Sequence, residues 1–485
     1  MVLQDGYSIN SDDQDCDTAP LLEKEADKIT VPPKCCSVRC NLAAMMFFGF
    51  AVVYGLRVNL SVAMVAMVNG TNNHISCTEP GGSPHVYPWN PEMQGMLLSA
   101  FFFGYLFTQI PGGYLSGRFG GSLFLGGGVL GTAVLTLLTP LSAQLGATWL
   151  FALRALEGFG EGVTFPAMMA MWARWAPPLE RARLMTFSGA GSNFGAFVAL
   201  PLTGFICHSL GWPAVFYSCG SVGCLWAVFW FILVSDEPRT HPRISDREKC
   251  YIINSIGSQG TPHGWTVPVL SMMFSVPLWA IIIPQMCSNW SYYTLLTSLP
   301  TYMDSVLHFD LRQNSFLSAL PYLAGWLFSV GSGVLADNLL ERELLSVTAV
   351  RKLFTFIGLF LPAVFLLAVG FTGCSGVLAV TFLTLSSAFG GFSAAGVYIN
   401  QIDIAPRYAG TLLGITNTFG TIPGVLAPIV VGYLTKDHSV TGWRHVFWLS
   451  AGVSAFGAIF YVIFGTGKIQ SWARTDEESD TDTHN

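Results

Sequence analysis

Charge is scarce in this sequence: Lys+Arg (23) and Asp+Glu (29) together make only 11% of its 485 residues. An average soluble domain carries about 25%, and a water-soluble chain of this length would need far more charge to solvate its surface. The net charge of −6 leaves no basic excess for a phosphate backbone, so nucleic acid is not an expected partner. No Cys/His run has metal-ligand spacing and no glycine-rich phosphate loop stands out, so neither a metal nor another cofactor is expected. Residues 1–40 lack an apolar h-region, so no cleavable signal is expected there. A soluble enzyme, a nucleic-acid binder and a disordered scaffold are all poor fits.

What is present is apolar. Hydrophobic residues reach 52%, aromatics 13% and mean hydropathy +0.50. Apolar runs, each about long enough to cross a bilayer as a helix, lie near 42–67, 93–116, 122–141, 147–172, 184–207, 213–234, 277–302, 314–336, 352–370, 377–402, 409–434 and 443–465. The short alternating segments of a barrel are missing. The expected fold is an all-α polytopic membrane protein with twelve transmembrane helices in two six-helix halves.

Positive charge orients the chain. With a cytosolic N-terminus, eighteen of the 23 Lys and Arg fall on the cytosolic side and three on the other, and Arg57 and Arg154 lie inside spans. Both termini are therefore expected in the cytosol. The charged stretch 235–276 divides a first half, 41–234, from a second, 277–465, with tails at 1–40 and 466–485. Gly113-Tyr-Leu-Ser-Gly-Arg118 follows the second span and Gly333-Val-Leu-Ala-Asp337 the eighth, the corresponding place in each half. Gly and Pro also cluster in the fifth and eleventh spans, where small residues let helices approach and rock. With Leu153-Arg154-Ala-Leu-Glu157-Gly158-Phe-Gly160-Glu161-Gly162, this arrangement resembles the major facilitator superfamily.

Four charges fall well inside spans: Arg57, Arg154, Glu157 and Glu161, whereas Asp337 and Asp403 sit at helix ends within reach of cytosolic water. A charge at the bilayer centre costs roughly 2.5–3.5 kcal/mol on insertion scales, so each needs a purpose or a partner. Arg154, Glu157 and Glu161 share one stripe at i, i+3 and i+7. One guanidinium cannot neutralise two carboxylates, and a desolvated carboxylate favours its protonated form. Glu157 and Glu161 are therefore the candidate proton-coupling acids, and the sequence does not choose between them. Arg154 is read as the structural charge of the fourth span. Arg57 has no acid on its own span. It is suited to fork-like binding of a substrate carboxylate or phosphate; the alternative is a long-range pair with Glu157 or Glu161, and the two can alternate. Tyr54, Asn289, Tyr293 and Asn400 are softer candidates for hydrogen bonds to a polar substrate, against the plainer reading of interhelical bonds and packing.

A closer resemblance rests on Phe48 through Ala63, Arg154 through Pro166 and Trp175-Ala-Pro-Pro-Leu-Glu180-Arg181. Ser235-Asp236, Leu295 through Met303 and Leu412 through Phe419 extend it over nearly the whole chain. These segments resemble the organic-anion transporters, a family that includes vesicular glutamate transporters, sodium–phosphate cotransporters and, most similar, lysosomal proton-coupled sialic acid exporters. The resemblance implies that Arg57 holds a substrate carboxylate and that Glu157 and Glu161 couple the proton. It also implies small organic anions (sialic acid, glucuronate, acidic amino acids) with a co-transported proton, and a chain functional as a monomer. Two departures stand out, Met169 in place of the family's His and Phe103 in place of a Tyr.

Asp17-Thr-Ala-Pro-Leu21-Leu22 fits an acidic dileucine sorting signal for adaptor complexes. Asn69-Gly-Thr71 is a glycosylation acceptor in the first non-cytosolic loop. Cys77 and Cys374 are the two Cys in non-cytosolic loops, which allows at most one lumenal disulfide. The expected protein is not an enzyme but a proton-coupled exporter of acidic sugars in the lysosomal membrane, with synaptic vesicle or plasma membrane as further sites. A potential-driven glutamate or aspartate importer, a sodium/phosphate-type cotransporter and a non-transporting sensor are the alternatives.

Overall fold

The computed structural model describes residues 37–69, 87–89, 91–257, 267–307, 311–373, 375–435 and 440–473. Asp17, Leu21, Leu22, Cys77 and Cys374 lie outside them, and Asn69 closes the first helix while the Gly and Thr of its acceptor motif lie outside. A helix or broken helix occupies every apolar run. The first half holds α1 (Val38–Asn69), α2 (Pro91–Phe119), α3 (Gly121–Leu137), α4 (Thr139–Leu145), α5 (Ala147–Glu161), α6 (Thr164–Trp175), α7 (Arg181–Leu210) and α8 (Trp212–Leu233). The second holds α11 (Val276–Ser305), α12 (Leu311–Glu341), α13 (Val347–Val369), α14 (Gly376–Gly390), α15 (Asn400–Ile404), α16 (Ala409–Leu434) and α17 (Val440–Phe464), after short α9 (Asp246–Ile256) and α10 (Val269–Met273) in the connecting stretch.

Three spans that read as continuous are broken. The third bends by 48° between α3 and α4. The fourth breaks at Gly162-Val163, between α5 and α6, and the tenth passes through a 3-10 turn, Gly391–Ala395, before α15. Backbone groups freed by such breaks are tolerated at membrane depth because they are buried in protein or line a cavity. By length and composition seven of the described helices can cross a membrane, or eight with the bent pair taken as one.

The helices pair in a repeating way. α1 lies along α7 as α11 lies along α16, α2 along α5 as α12 along α14, and α3 along α8 as α13 along α17. Two seams join the halves, α2 with α16 and α7 with α12. The paired Gly113 and Gly333 have a packing reason. A Cβ on Gly113 would lie 2.2 Å from the Gly410 carbonyl oxygen, and one on Gly333 would lie 1.8 Å from Thr186 Oγ1. Each glycine lets the two halves meet at the end of the bundle that carries Val38 and the connecting stretch, here the linker end.

Charge closes the same end. Asp337 accepts from the Ala182 and Arg183 backbone N–H groups at 3.2 and 2.5 Å, joining α12 to the start of α7. Arg351 donates to Asp403 at 2.6 Å through Nε, and Arg181 approaches the same carboxylate at 3.7 Å. The expectation that Asp337 and Asp403 face water is therefore corrected: they are 5% and 8% exposed. Helix-end charges stay buried here because each finds a partner across a helix contact. The connecting stretch is likewise built in, since Glu248 of α9 accepts from Val38 N–H at 3.1 Å and from Arg39 Nε at 3.0 Å, while Arg39 also pairs with Glu180.

Candidate functional site

Between the halves lies a cavity of about 290 Å³, reached by α1, α2, α6 and α7 from one side and α11, α12, α13, α14, α16 and α17 from the other. Six tyrosines line it: Tyr54, Tyr105, Tyr292, Tyr293, Tyr322 and Tyr398. Among the described lining residues Arg57 alone carries charge. Its guanidinium carbon lies 4.6, 4.9 and 5.0 Å from the ring centroids of Tyr54, Tyr105 and Phe101. Aromatic faces at such distances attract a cation while leaving its N–H edges free for an anion.

Those edges are engaged by Glu161. Arg57 Nε and a terminal nitrogen donate to Glu161 Oε1 at 2.9 and 2.5 Å, and the side chains are 8% and 0% exposed. Glu161 Oε2 is buried with no hydrogen-bond partner. Glu161 is the last residue of α5, at the break of the fourth span, where Thr164 Oγ1 caps its carbonyl at 2.7 Å. The carboxyl thus has one oxygen spent on Arg57 and one open to a proton.

A second pair stands one helical turn away. Arg154 donates to Glu157 Oε2 at 2.5 Å and to the Arg57 carbonyl oxygen at 3.3 Å. Thr136 and Thr139, either side of the bend in the third span, each donate to Glu157 Oε1 at 3.3 Å. The long-range pair weighed as the alternative for Arg57 is the one formed here, with Glu161, so the two acids do not share one guanidinium: each Glu has its own. The two acids also differ in place. Glu161 touches the cavity residue Arg57, whereas Glu157 points into the first half toward α3 and α4.

Of the softer candidates, Tyr54, Asn289 and Tyr293 line the cavity. Asn289 Nδ2 donates to the Gly420 carbonyl at 2.9 Å and its Oδ1 accepts from Tyr398 Oη at 2.8 Å. Asn400 is placed differently from the expectation: it is fully buried behind the cavity wall, on the side of Tyr461. The break between Gly391 and Ile399 interrupts the helical period, so Asn400 does not share a face with the lining residues of α14. Met169 lines the cavity, while Phe103 is 52% exposed on the outer surface of the bundle, against Phe151. Sequence reasoning missed Tyr105, Tyr322, Asn193 and Asn417. Only the position of each on a span, combined with the repeat, carries a signal for them.

This is the architecture of a carrier with one central site between two halves. The Major Facilitator Superfamily profile matches residues 46–428, and the chain belongs to that superfamily; it is a secondary transporter and not an enzyme. Within the superfamily it is similar to sialin of Homo sapiens, 49% identical over 481 residues that cover 96% of this chain and 97% of that protein. It is also similar to vesicular glutamate transporter 2 of Homo sapiens, 40% identical over 450 residues, 91% of this chain and 76% of that protein. Among solved structures, the proton:xylose symporter XylE superposes with a TM-score of 0.65 at 17% identity, covering 89% of this chain and 97% of that one. At that identity the likeness concerns the fold.

Proposed function

We propose that this chain is a proton-coupled exporter of sialic acid and related acidic sugars from the lysosome, working by alternating access with both termini in the cytosol. The observation that carries the reading is the Arg57–Glu161 pair at the cavity wall. A substrate carboxylate and the Glu161 carboxylate compete for one guanidinium. Protonation at the open Oε2 of Glu161 weakens its hold on Arg57 and frees the fork for substrate, so substrate and proton load together. Arg154 and Glu157 hold the fourth span against α1 and α3, keeping Arg57 in place. Tyr54, Tyr293 and Asn289 shape the wall around the substrate.

Each proton moving down its gradient supplies about 1.4 kcal/mol per pH unit, and the halves rock about the site as the linker-end contacts break and re-form. The test is uptake of radiolabelled sialic acid by cells in which Leu21→Ala and Leu22→Ala trap the chain at the surface, with acid outside. Uptake is expected to vanish with Arg57→Ala and when the proton gradient is collapsed. Uptake indifferent to both overturns the mechanism.

A further inference from the structure

Beyond the break in the tenth span lies α15, five residues closed at the other end by Ala405 and the 3-10 turn Pro406–Tyr408. A helix this short is held by its side chains rather than by its own cooperativity. One of them is Asp403, gripped at the linker end by Arg351 of α13 and by Arg181 of the other half. Another is Gln401, two residues earlier and fully buried.

Gln401 ends a chain of amides. Asn417 of α16 lines the central cavity, and its Oδ1 accepts from Gln285 Nε2 at 2.6 Å. Gln285 of α11 is fully buried and is not among the described lining residues, and its Oε1 accepts from Gln401 Nε2 at 3.3 Å. The chain therefore runs from the cavity to the helix that carries Asp403.

Gln401 fits its surroundings two ways round. In the first, Nε2 donates to Gln285 Oε1 and, at 3.2 Å, to Thr416 Oγ1. In the second, with the amide turned over, Nε2 donates to the Tyr398 and Val397 carbonyl oxygens at 2.9 and 3.2 Å, and Oε1 accepts from Thr416 Oγ1. The second puts an acceptor against Gln285 Oε1, so Gln285 turns as well, and Asn417 after it. Three amides reverse together. The first direction ties α15 to α11 and leaves the Asn417 amino group over for the cavity. The second is better bonded at Gln401 and ties α15 to the break.

We propose that Gln285 and Gln401 are positioning residues of the transport cycle: their amide chain couples the cavity to the linker-end clamp, and an oxygen accepting from Asn417 switches it from the second direction to the first. A ligand moves such a two-state element by its different affinity for the two states, and only the first direction offers that oxygen a donor. Gln401 then lets go of the Val397 and Tyr398 carbonyls, α15 comes away from the break, and the hold of Asp403 on Arg181 loosens. Amides do not titrate, so this half answers to substrate alone, whereas the Arg57–Glu161 pair of the other half also answers to protons. The proposal rests on the reading of the cavity as the transport site.

The test is amide hydrogen exchange at Ala182 and Arg183 in the purified full-length chain, since their N–H groups give to Asp337 beside Arg181 while the clamp is closed. Ser122 N–H, which gives to Asp236 at 2.7 Å within the first half, is the control. Glucuronate should speed exchange at Ala182 and Arg183 in wild type. Gln285→Met should bind glucuronate within about twofold of wild type by tryptophan fluorescence, yet lose that response, because the chain is cut behind the wall. Gln401→Met should speed exchange without any ligand, by roughly fivefold for one net hydrogen bond lost. Should a Met variant not fold, Glu at the same position is read in the same way: at 285 it accepts from both neighbours and cannot reverse, and at 401 it lacks the amino group. Four results overturn the proposal: no response in wild type that binds glucuronate, a response that survives Gln285→Met, no effect of Gln401→Met, or an equal rise at Ser122. Wild type that binds no glucuronate removes the exporter reading, and the ligand-free Gln401→Met arm then decides the link to the clamp by itself.

Discussion

Replacing Glu161 by Gln removes the carboxylate that competes for Arg57 and keeps the side chain's size. In the structure Arg57 gives two N–H groups to Glu161 Oε1, at 2.9 and 2.5 Å, with both side chains buried. On the proposed mechanism a substrate carboxylate displaces those contacts before it gains its own. Hydrogen bonds to charged groups are worth about 1.5–3 kcal/mol net, so the competition weakens substrate binding by roughly 10- to 150-fold when Glu161 is ionised. Glu161→Gln should therefore bind glucuronate more tightly by an amount in that range at neutral pH. Wild-type binding should strengthen as pH falls and the proton takes over Glu161, and the Gln variant should show little of that slope. Intrinsic tryptophan fluorescence or thermal stabilisation, followed from pH 5 to pH 8 or so, measures both. A Gln variant that binds more weakly than wild type at every pH, or keeps the wild-type slope, refutes the competition.

Other consequences are open to direct measurement. Gly333→Ala puts a Cβ 1.8 Å from Thr186 Oγ1, and overpacking of this kind costs about 1–3 kcal/mol. Its melting temperature should fall, and Thr186→Ala in the same chain should recover part of the loss; strict additivity would deny the contact. Arg39→Ala removes the cation that Glu180 and Glu248 share, leaving Glu180 with Arg183 and Glu248 without an ion pair among the described residues. Breaking a buried pair costs about 3–5 kcal/mol, so a lowered melting temperature with earlier proteolysis of the connecting stretch is expected, and unchanged melting counts against it. Met169→His should alter glucuronate affinity because Met169 lines the cavity, whereas Phe103→Tyr, half-exposed on the outer surface, should leave it within error. Equal effects from the two would misplace the cavity wall.

The number and order of spans were legible because a bilayer demands long apolar helices, and hydropathy reports them directly. The breaks in them were not. Gly162-Val163 and Gly391–Ile399 sit in sequence as apolar as their surroundings, and only packing against neighbouring helices reveals where the chain departs from a helix. Arg57, Glu157 and Glu161 stood out because isolated charges in apolar runs are conspicuous. A long-range pair of Arg57 with one of the two acids could be weighed, but not which acid, since i, i+3 and i+7 place Arg154, Glu157 and Glu161 on one stripe without saying that Glu161 is the one that reaches across to α1. The helix-end charges were misjudged for a related reason: sequence puts Asp337 and Asp403 near water, but the meeting of α7, α12 and α15 at the linker end seals them in. Neutral lining residues carried the weakest signal. Asn193 and Asn417 look like ordinary span polar residues until the structure places both in the lining of one cavity.

The central claim is that one guanidinium couples substrate to proton by passing between Glu161 and the substrate carboxylate. Its most direct test is the proton flux that accompanies glucuronate entry into vesicles containing the purified chain, read with a pH-sensitive dye. Wild type should move protons with glucuronate, while Glu161→Gln should exchange glucuronate across the membrane without moving protons. Proton movement of wild-type size in the Gln variant would contradict the account.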